Sequence, residues 1–168
     1  MRGHCCLMLN SVMKKKHLDC HTPKGRQWIE KQNEIAHRVA QRFGHDVIFT
    51  PDTDAKVDCV FTKDNVIVGI AEIKSRDLKL DQLRTMGTYL VTEEKLLAGI
   101  EIAKYFRAPF ALIINLKDAD IFIKICNAEG ERLVSWKSDL TRTQATCNGG
   151  QADRQNAYVS LSTMLVLR

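Results

Sequence analysis

The chain has 168 residues, 45% of them hydrophobic and 27% charged, with a formal net charge of +5 at neutral pH. That length and balance predict one globular domain with a real core, and they exclude a disordered or low-complexity chain. No stretch approaches the roughly 18 consecutive apolar residues of a membrane span, so no membrane partner is expected.

The charge is unevenly spread: residues 1–45 hold nine Lys and Arg against three Asp and Glu. A basic N-terminal third suits contact with phosphates, and Lys24 and Arg26 are its candidates for nucleic acid. The cysteines Cys5, Cys6, Cys20, Cys59, Cys126 and Cys147 show no framework spacing, so a reducing, intracellular setting is expected instead of disulfides. Cys59 and Cys126 lie in apolar runs and read as buried thiols. His4, Cys5 and Cys6 with His17, Cys20 and His21 have the residue types of zinc ligands, which would suit a small zinc-binding adaptor. They lack the paired spacing of a zinc ribbon. Residues 1–21 have no periodicity and are expected to be irregular or disordered, followed by a single domain over 22–168. Translation from Met13 would account for the first dozen residues. Lys14, Lys15 and Lys16 follow the apolar stretch instead of preceding it, so no signal peptide is expected.

Thr22 with Pro23 starts a helix and Gly44 stops it. Its apolar stripe is Trp28, Ile29, Ile35, Ala36, Val39, Ala40 and Phe43, with Glu30, Glu34, His37 and Gln41 on a neighbouring face. Residues 46–49 form a short strand and 51–54 a turn. Two β-branched runs follow, 57–61 and 66–73, joined by a polar turn at 62–65. A short helix is expected over 78–86. A stronger one runs from the cap at Thr92 to about Arg107, its stripe being Leu96, Leu97, Ile100 and Ala103. Residues 110–116 and 120–126 are strands joined by a short link, and 132–137 adds a further strand. Residues 138–157 read as a polar loop around Cys147, Asn148, Gly149 and Gly150, and 158–167 as a strand or short packed element. The order α-β-β-β-α-β-β predicts an α/β (α+β) fold with a central mixed sheet flanked by helices.

The two central strands carry the chemistry. A turn near Asp64 and Asn65 puts Asp58 opposite residues 71–72. Strand alternation puts Glu72 and Lys74 on one face, and Ala71 and Ile73 on the other. Two carboxylates and an ammonium then meet at the end of an apolar hairpin. Close carboxylates repel and their proton affinities rise, and a hard divalent cation relieves this. Mg²⁺ takes one or two protein carboxylates and keeps its other positions for water and phosphate oxygens. The plainer alternative for an isolated Glu-x-Lys is an exposed ion pair.

Asp58, thirteen intervening residues, then Glu72-Ile73-Lys74 resembles the core of the PD-(D/E)XK nuclease superfamily, and the similarity extends over residues 24–125. The resemblance implies a restriction-endonuclease-like fold and a metal-dependent nuclease, expected to be an endonuclease, that hydrolyses DNA phosphodiesters. It implies that Asp58, Glu72 and the Ile73 carbonyl hold Mg²⁺ or Mn²⁺, and that Lys74 orients or deprotonates the attacking water. The family's helical acid falls best on Glu34, to hold a second ion or a metal-bound water. Here the acid sits at Asp58 after Val57, while a Pro-Asp pair stands at Pro51 and Asp52, so Asp52 and Asp54 compete for the metal.

Ser75 and Arg76 are placed to hold a phosphate, and Gln82 to touch DNA from the following helix. Arg84, Lys95 and Lys104 border the cleft as surface cations. No phosphate-binding or dinucleotide glycine motif and no Gly-x-Ser-x-Gly elbow occurs, so no nucleotide cofactor is expected. Double-strand cleavage by one cleft calls for two copies, so a homodimer is expected, with residues 78–89 and the C-terminal region as its candidate surfaces. The rival reading is a catalytically inactive DNA-binding or assembly module with the same fold.

Overall fold

The computed structural model describes residues 22–50, 55–144 and 151–167. The expectations for residues 1–21, including the zinc ligands, and for Asp52, Asp54 and the loop at 147–150 lie outside these residues.

Helix α1 spans Pro23–Phe43. The Thr22 hydroxyl accepts from the Gly25 amide at 3.0 Å, satisfying one open donor of the first turn. Gly44 closes the helix in the left-handed conformation, φ +66°. The stripe is narrower than the sequence suggests: Ile35, Ala36, Val39 and Ala40 are buried, while Trp28 and Phe43 are exposed.

Strands β1 (Asp46–Phe49), β2 (Cys59–Lys63) and β3 (Val66–Ser75) follow, then helix α2 (Leu80–Met86), strand β4 (Thr88–Thr92) and helix α3 (Glu93–Phe106). Strands β5 (Phe110–Asn115), β6 (Asp120–Cys126), β7 (Trp136–Gln144), β8 (Gln151–Ser160) and β9 (Leu165–Leu167) complete the order. A six-stranded sheet runs β1-β2-β3-β5-β6-β9, and a three-stranded sheet runs β4-β8-β7. Within the first sheet β3 and β5 pair in parallel, and the other neighbours are antiparallel. The β2–β3 turn is tight because Asp64 and Asn65 both take positive φ, 50° and 63°, the pattern of a two-residue type I′ hairpin.

Alternation along β3 decides what each helix covers. Ala71 and Ile73 face α1 and pack with Cys59, Phe61, Ile113 and Leu167. Ile70 points the other way, into the larger core of Leu96, Ile100, Leu112, Ile114 and Ile123. The second sheet joins that core through Tyr89, Val91, Ala157 and Val159. Strand β5 is buried on both faces from Phe110 to Ile114, which is why it reads as an unbroken apolar run. Helix α3 lies close against it: a Cβ built on Gly99 would stand 2.3 Å from the Phe110 ring.

The second sheet departs from the sequence reading. Much of the expected polar loop at 138–157 is strand, β7 and β8. Residues 137–140, 142, 153 and 155 are exposed on both faces of this ribbon, so no apolar alternation marks it. The strand expected at 132–137 begins only at Trp136, with Arg132 forming an isolated bridge to Cys126. The last segment divides between the end of β8 and β9.

Candidate active site

Asp58 stands just before β2, where Cys59 pairs with Ala71. Its backbone is held from both sides: Asp58 N donates to Ala71 O at 3.0 Å, and Thr50 N donates to Asp58 O at 3.2 Å. The Thr50 hydroxyl adds a bond to Val57 O at 2.6 Å. The chain leaves β2 at this point, and among the described residues the Ile73 amide has no strand partner on that side. The Asp58 carboxylate takes it, Oδ2 accepting from Ile73 N at 2.6 Å. A strand residue points its N–H and C=O to the same side, so the Ile73 carbonyl faces the same gap.

Glu72 is fully buried on the α3 side of the sheet. Its Oε1 is ion-paired with Lys74 Nζ, two residues along the same strand and face. Its Oε2 has no hydrogen bond among the described residues, and Lys95 Nζ of α3 lies 3.5 Å away. Burial pushes the Glu72 carboxyl up, Lys74 opposes this, Asp58 adds to it, and Lys95 opposes it again; the net shift is upward. Burial would lower the Lys74 ammonium, but Glu72 and then Asp58 more than offset it, so Lys74 is held in the charged form. Burial, then Asp58 and Glu72, push the Cys59 thiol up to about 12, which leaves it neutral and no nucleophile.

The donors present fit a hard divalent ion. A buried carboxylate oxygen without a hydrogen bond costs about 1–3 kcal/mol unless something satisfies it. Glu72 Oε2 is such an atom, and Asp58 has a second oxygen beyond the one held by Ile73. No group of three or more His, Cys, Asp or Glu side chains gathers among the described residues. Two carboxylates with a main-chain carbonyl match the sparse protein ligation that Mg²⁺ accepts.

The remaining sequence-derived candidates are placed as follows. Arg76 is exposed, its Nη1 donating to Ser75 O at 2.9 Å, and its guanidinium lies 5.5 Å from the Tyr89 ring centroid. Ser75 bonds to Asn115 Oδ1 at 3.2 Å; Asn115 binds Asp120 at 2.8 Å, and Asp120 is held by Arg38 of α1. Gln82 accepts from Lys79 N at 2.9 Å and so serves the start of α2. Lys24 and Arg26 are exposed in the first turns of α1. Glu34 is also exposed on α1, and its charge acts on Arg38. Helix α1 covers the Ala71–Ile73 face, whereas Glu72 and Lys74 lie on the α3 face.

Two further residues reach the site. Lys95 was legible only as a surface cation, although a lysine in a helix's first turn beside Glu93 and Glu94 opposes the helix dipole. Tyr89 of β4 is 3% exposed; burial pushes its hydroxyl up, while the charges of Arg76 and then Lys74 oppose this. Its signal was the Tyr-x-Val alternation of a short strand.

A mixed sheet with an Asp at the start of one strand and a Glu-x-Lys on its antiparallel neighbour is the arrangement of the PD-(D/E)XK nucleases. The chain belongs to one of their families, described as phage putative PDDEXK endonucleases, whose model matches residues 29–158. Among solved structures it is similar to Hjc, a Holliday junction resolvase of Archaeoglobus fulgidus, an archaeal hyperthermophile. Identity is 13% and TM-score 0.45, over 56% of this chain and 75% of that one. No curated protein matches it.

Proposed function

We propose that the chain is a divalent-metal-dependent endonuclease that hydrolyses DNA phosphodiesters. Asp58, Glu72 and the Ile73 carbonyl would hold Mg²⁺ or Mn²⁺. The observation that carries this reading is the buried Glu72 Oε2, left without a hydrogen bond beside a second carboxylate. An ion bound there supplies charge to a non-bridging phosphate oxygen and lowers the pKa of a water.

The protein's own groups do the rest. Ile73 N fixes the Asp58 carboxylate. Lys74, held cationic by Glu72 and Asp58, donates to the attacking water or to the phosphate where negative charge grows. Arg76 is exposed beside Tyr89, within reach of a flanking phosphate. Ser75, Gln82, Lys24 and Arg26 are further contacts of this reading. Glu34, on α1 across the opposite face of the sheet, is the candidate of the family resemblance for a second ion or a metal-bound water and stands apart from Glu72 and Lys74. Action on duplex DNA as a homodimer inside the cell completes it.

The test is nicking of closed circular DNA by wild type, Glu72→Ala and Lys74→Ala, with Mg²⁺, with Mn²⁺ and without metal. Wild type cuts only with metal, and Glu72→Ala loses ion binding and cutting together. Lys74→Ala keeps ion and DNA binding while turnover falls about 10²–10⁴-fold, the scale of a positioned proton-transfer group. Equal cutting by all three sinks the assignment. DNA binding by wild type without cutting under any ion favours the inactive binding module.

A further inference from the structure

We propose that Lys95 is a displaceable counter-ion of this site: it accompanies the open oxygen of Glu72 until a divalent ion arrives, and is then released to a substrate phosphate. The inference rests on the nuclease reading above and deepens it.

The two oxygens of Glu72 are unequal. Oε1 is held by Lys74, which shares its strand and face. Among the described residues Oε2 has only a charge neighbour, Lys95 Nζ at 3.5 Å, beyond normal hydrogen-bond length. Asp58 spends one oxygen on Ile73 N. The donors left for an ion are therefore Glu72 Oε2 and the other oxygen of Asp58, so the ion's place lies beside Lys95.

Lys95 is not held there by its helix. It is in the first turn of α3, where Glu93 and Glu94 suit the positive end of the dipole and a cation does not. Its own contacts keep it: the Glu72 carboxylate and a bond to Ala55 O at 3.0 Å. A divalent ion held by Oε2 would take over the first of these and repel the ammonium at short range. The lysine has a flexible four-carbon stem and a side chain 33% exposed, so it has a way out. Released toward solvent, it is free to meet a phosphate of a bound phosphodiester backbone.

The experiment is calorimetric titration of the full chain with Mn²⁺, for wild type, Lys95→Met, Lys95→Gln, Lys95→Arg and Glu72→Ala, each checked for fold by circular dichroism. Lys95→Met and Lys95→Gln should bind Mn²⁺ about tenfold tighter or more, since a competing positive charge is gone. Lys95→Arg should stay near wild type. In Ca²⁺, the two neutral variants should bind a DNA duplex several-fold more weakly than wild type. A lysine that merely supports the fold predicts unchanged or weaker metal binding. If either folded neutral variant binds Mn²⁺ no tighter than wild type, the inference is overturned. Unchanged duplex binding in Ca²⁺ overturns the release to phosphate. If wild type and Glu72→Ala bind Mn²⁺ alike, the metal-site reading itself fails, and the inference with it.

Discussion

The main-chain amide of Ile73 donates to Asp58 Oδ2 over 2.6 Å, so the first carboxylate of the site is oriented by the strand that carries the second. This bond separates the structural from the chemical role of Asp58. An asparagine keeps an acceptor for the amide but carries no charge. Asp58→Asn should melt within a few degrees of wild type while metal-dependent cutting falls by about 10²-fold or more. Asp58→Ala should lose cutting and, in addition, about 1–3 kcal/mol of stability, because the amide is left without a partner. Thermal melts beside nicking assays check both, and equal melting of the two variants would contradict the split.

Tyr89 separates a hydroxyl from its ring. The hydroxyl is buried with no well-aligned hydrogen bond among the described residues, and its polar neighbour is the Arg76 guanidinium, so removing it costs little. Tyr89→Phe should melt close to the wild-type temperature. Tyr89→Ala should lose about 3–5 kcal/mol, the usual cost of truncating a buried aromatic ring. Denaturant unfolding measures each, and a clearly destabilised Tyr89→Phe would show that the hydroxyl is satisfied.

The Gly99–Phe110 approach should be intolerant of a methyl group. Ala is normally the better helix former by about 1 kcal/mol. Here its Cβ would meet a fully buried ring at 2.3 Å. Gly99→Ala should therefore destabilise by about 1–3 kcal/mol, and Phe110→Leu should recover part of it. Unfolding of both single variants and the double variant tests the pair.

Glu93 ties the start of α3 to the second sheet. Its Oε1 accepts from Ser138 Oγ and, at 3.1 Å, from Trp136 Nε1. The Ser138 bond, then the Trp136 bond, hold its carboxyl below the ordinary value. A carboxylate lowered in the folded state contributes stability above its unfolded pKa and loses it as pH falls through the folded pKa. Stability should therefore drop from about pH 4.3, the ordinary glutamate value, downward. Glu93→Gln should reduce the acid slope and cost about 1 kcal/mol at pH 7, a modest figure because the site is partly open to water. Melting temperature against pH, for wild type and variant, decides it.

The β2–β3 hairpin was readable because two signals coincide there. β-Branched runs flank Asp64 and Asn65, which tolerate positive φ, but the register near the site depends on a bulge between Phe61 and Thr62 that counting from the turn does not show. Counting put Asp58 opposite residues 71–72, and with Cys59 paired to Ala71 the bulge brings it to the Glu72 end of that range. Helix α1 was readable from its cap and stop at Thr22 and Gly44. The second sheet was not. Strand β4 is short, and β7 and β8 present polar residues on both faces, so neither period stands out. Trp28 shows the limit of a stripe drawn on an isolated helix, since the sheet beneath α1 covers only Ile35 to Ala40. Lys95 and Tyr89 reach Glu72 and Lys74 through tertiary packing of α3 and β4, and no spacing in the sequence records that.

Strand β3 meets its parallel neighbour β5 only after the crossover through 76–109 has closed. A two-residue hairpin forms on the microsecond scale, about 1–10 μs, whereas pairing across a long crossover is slower because the loop entropy comes first. The opposed acids of the hairpin can thus come together early in folding, still in water. Glu72 is stripped of water only when α3 docks. A slow rise in its proton affinity during refolding would time the closing of the crossover over the candidate site.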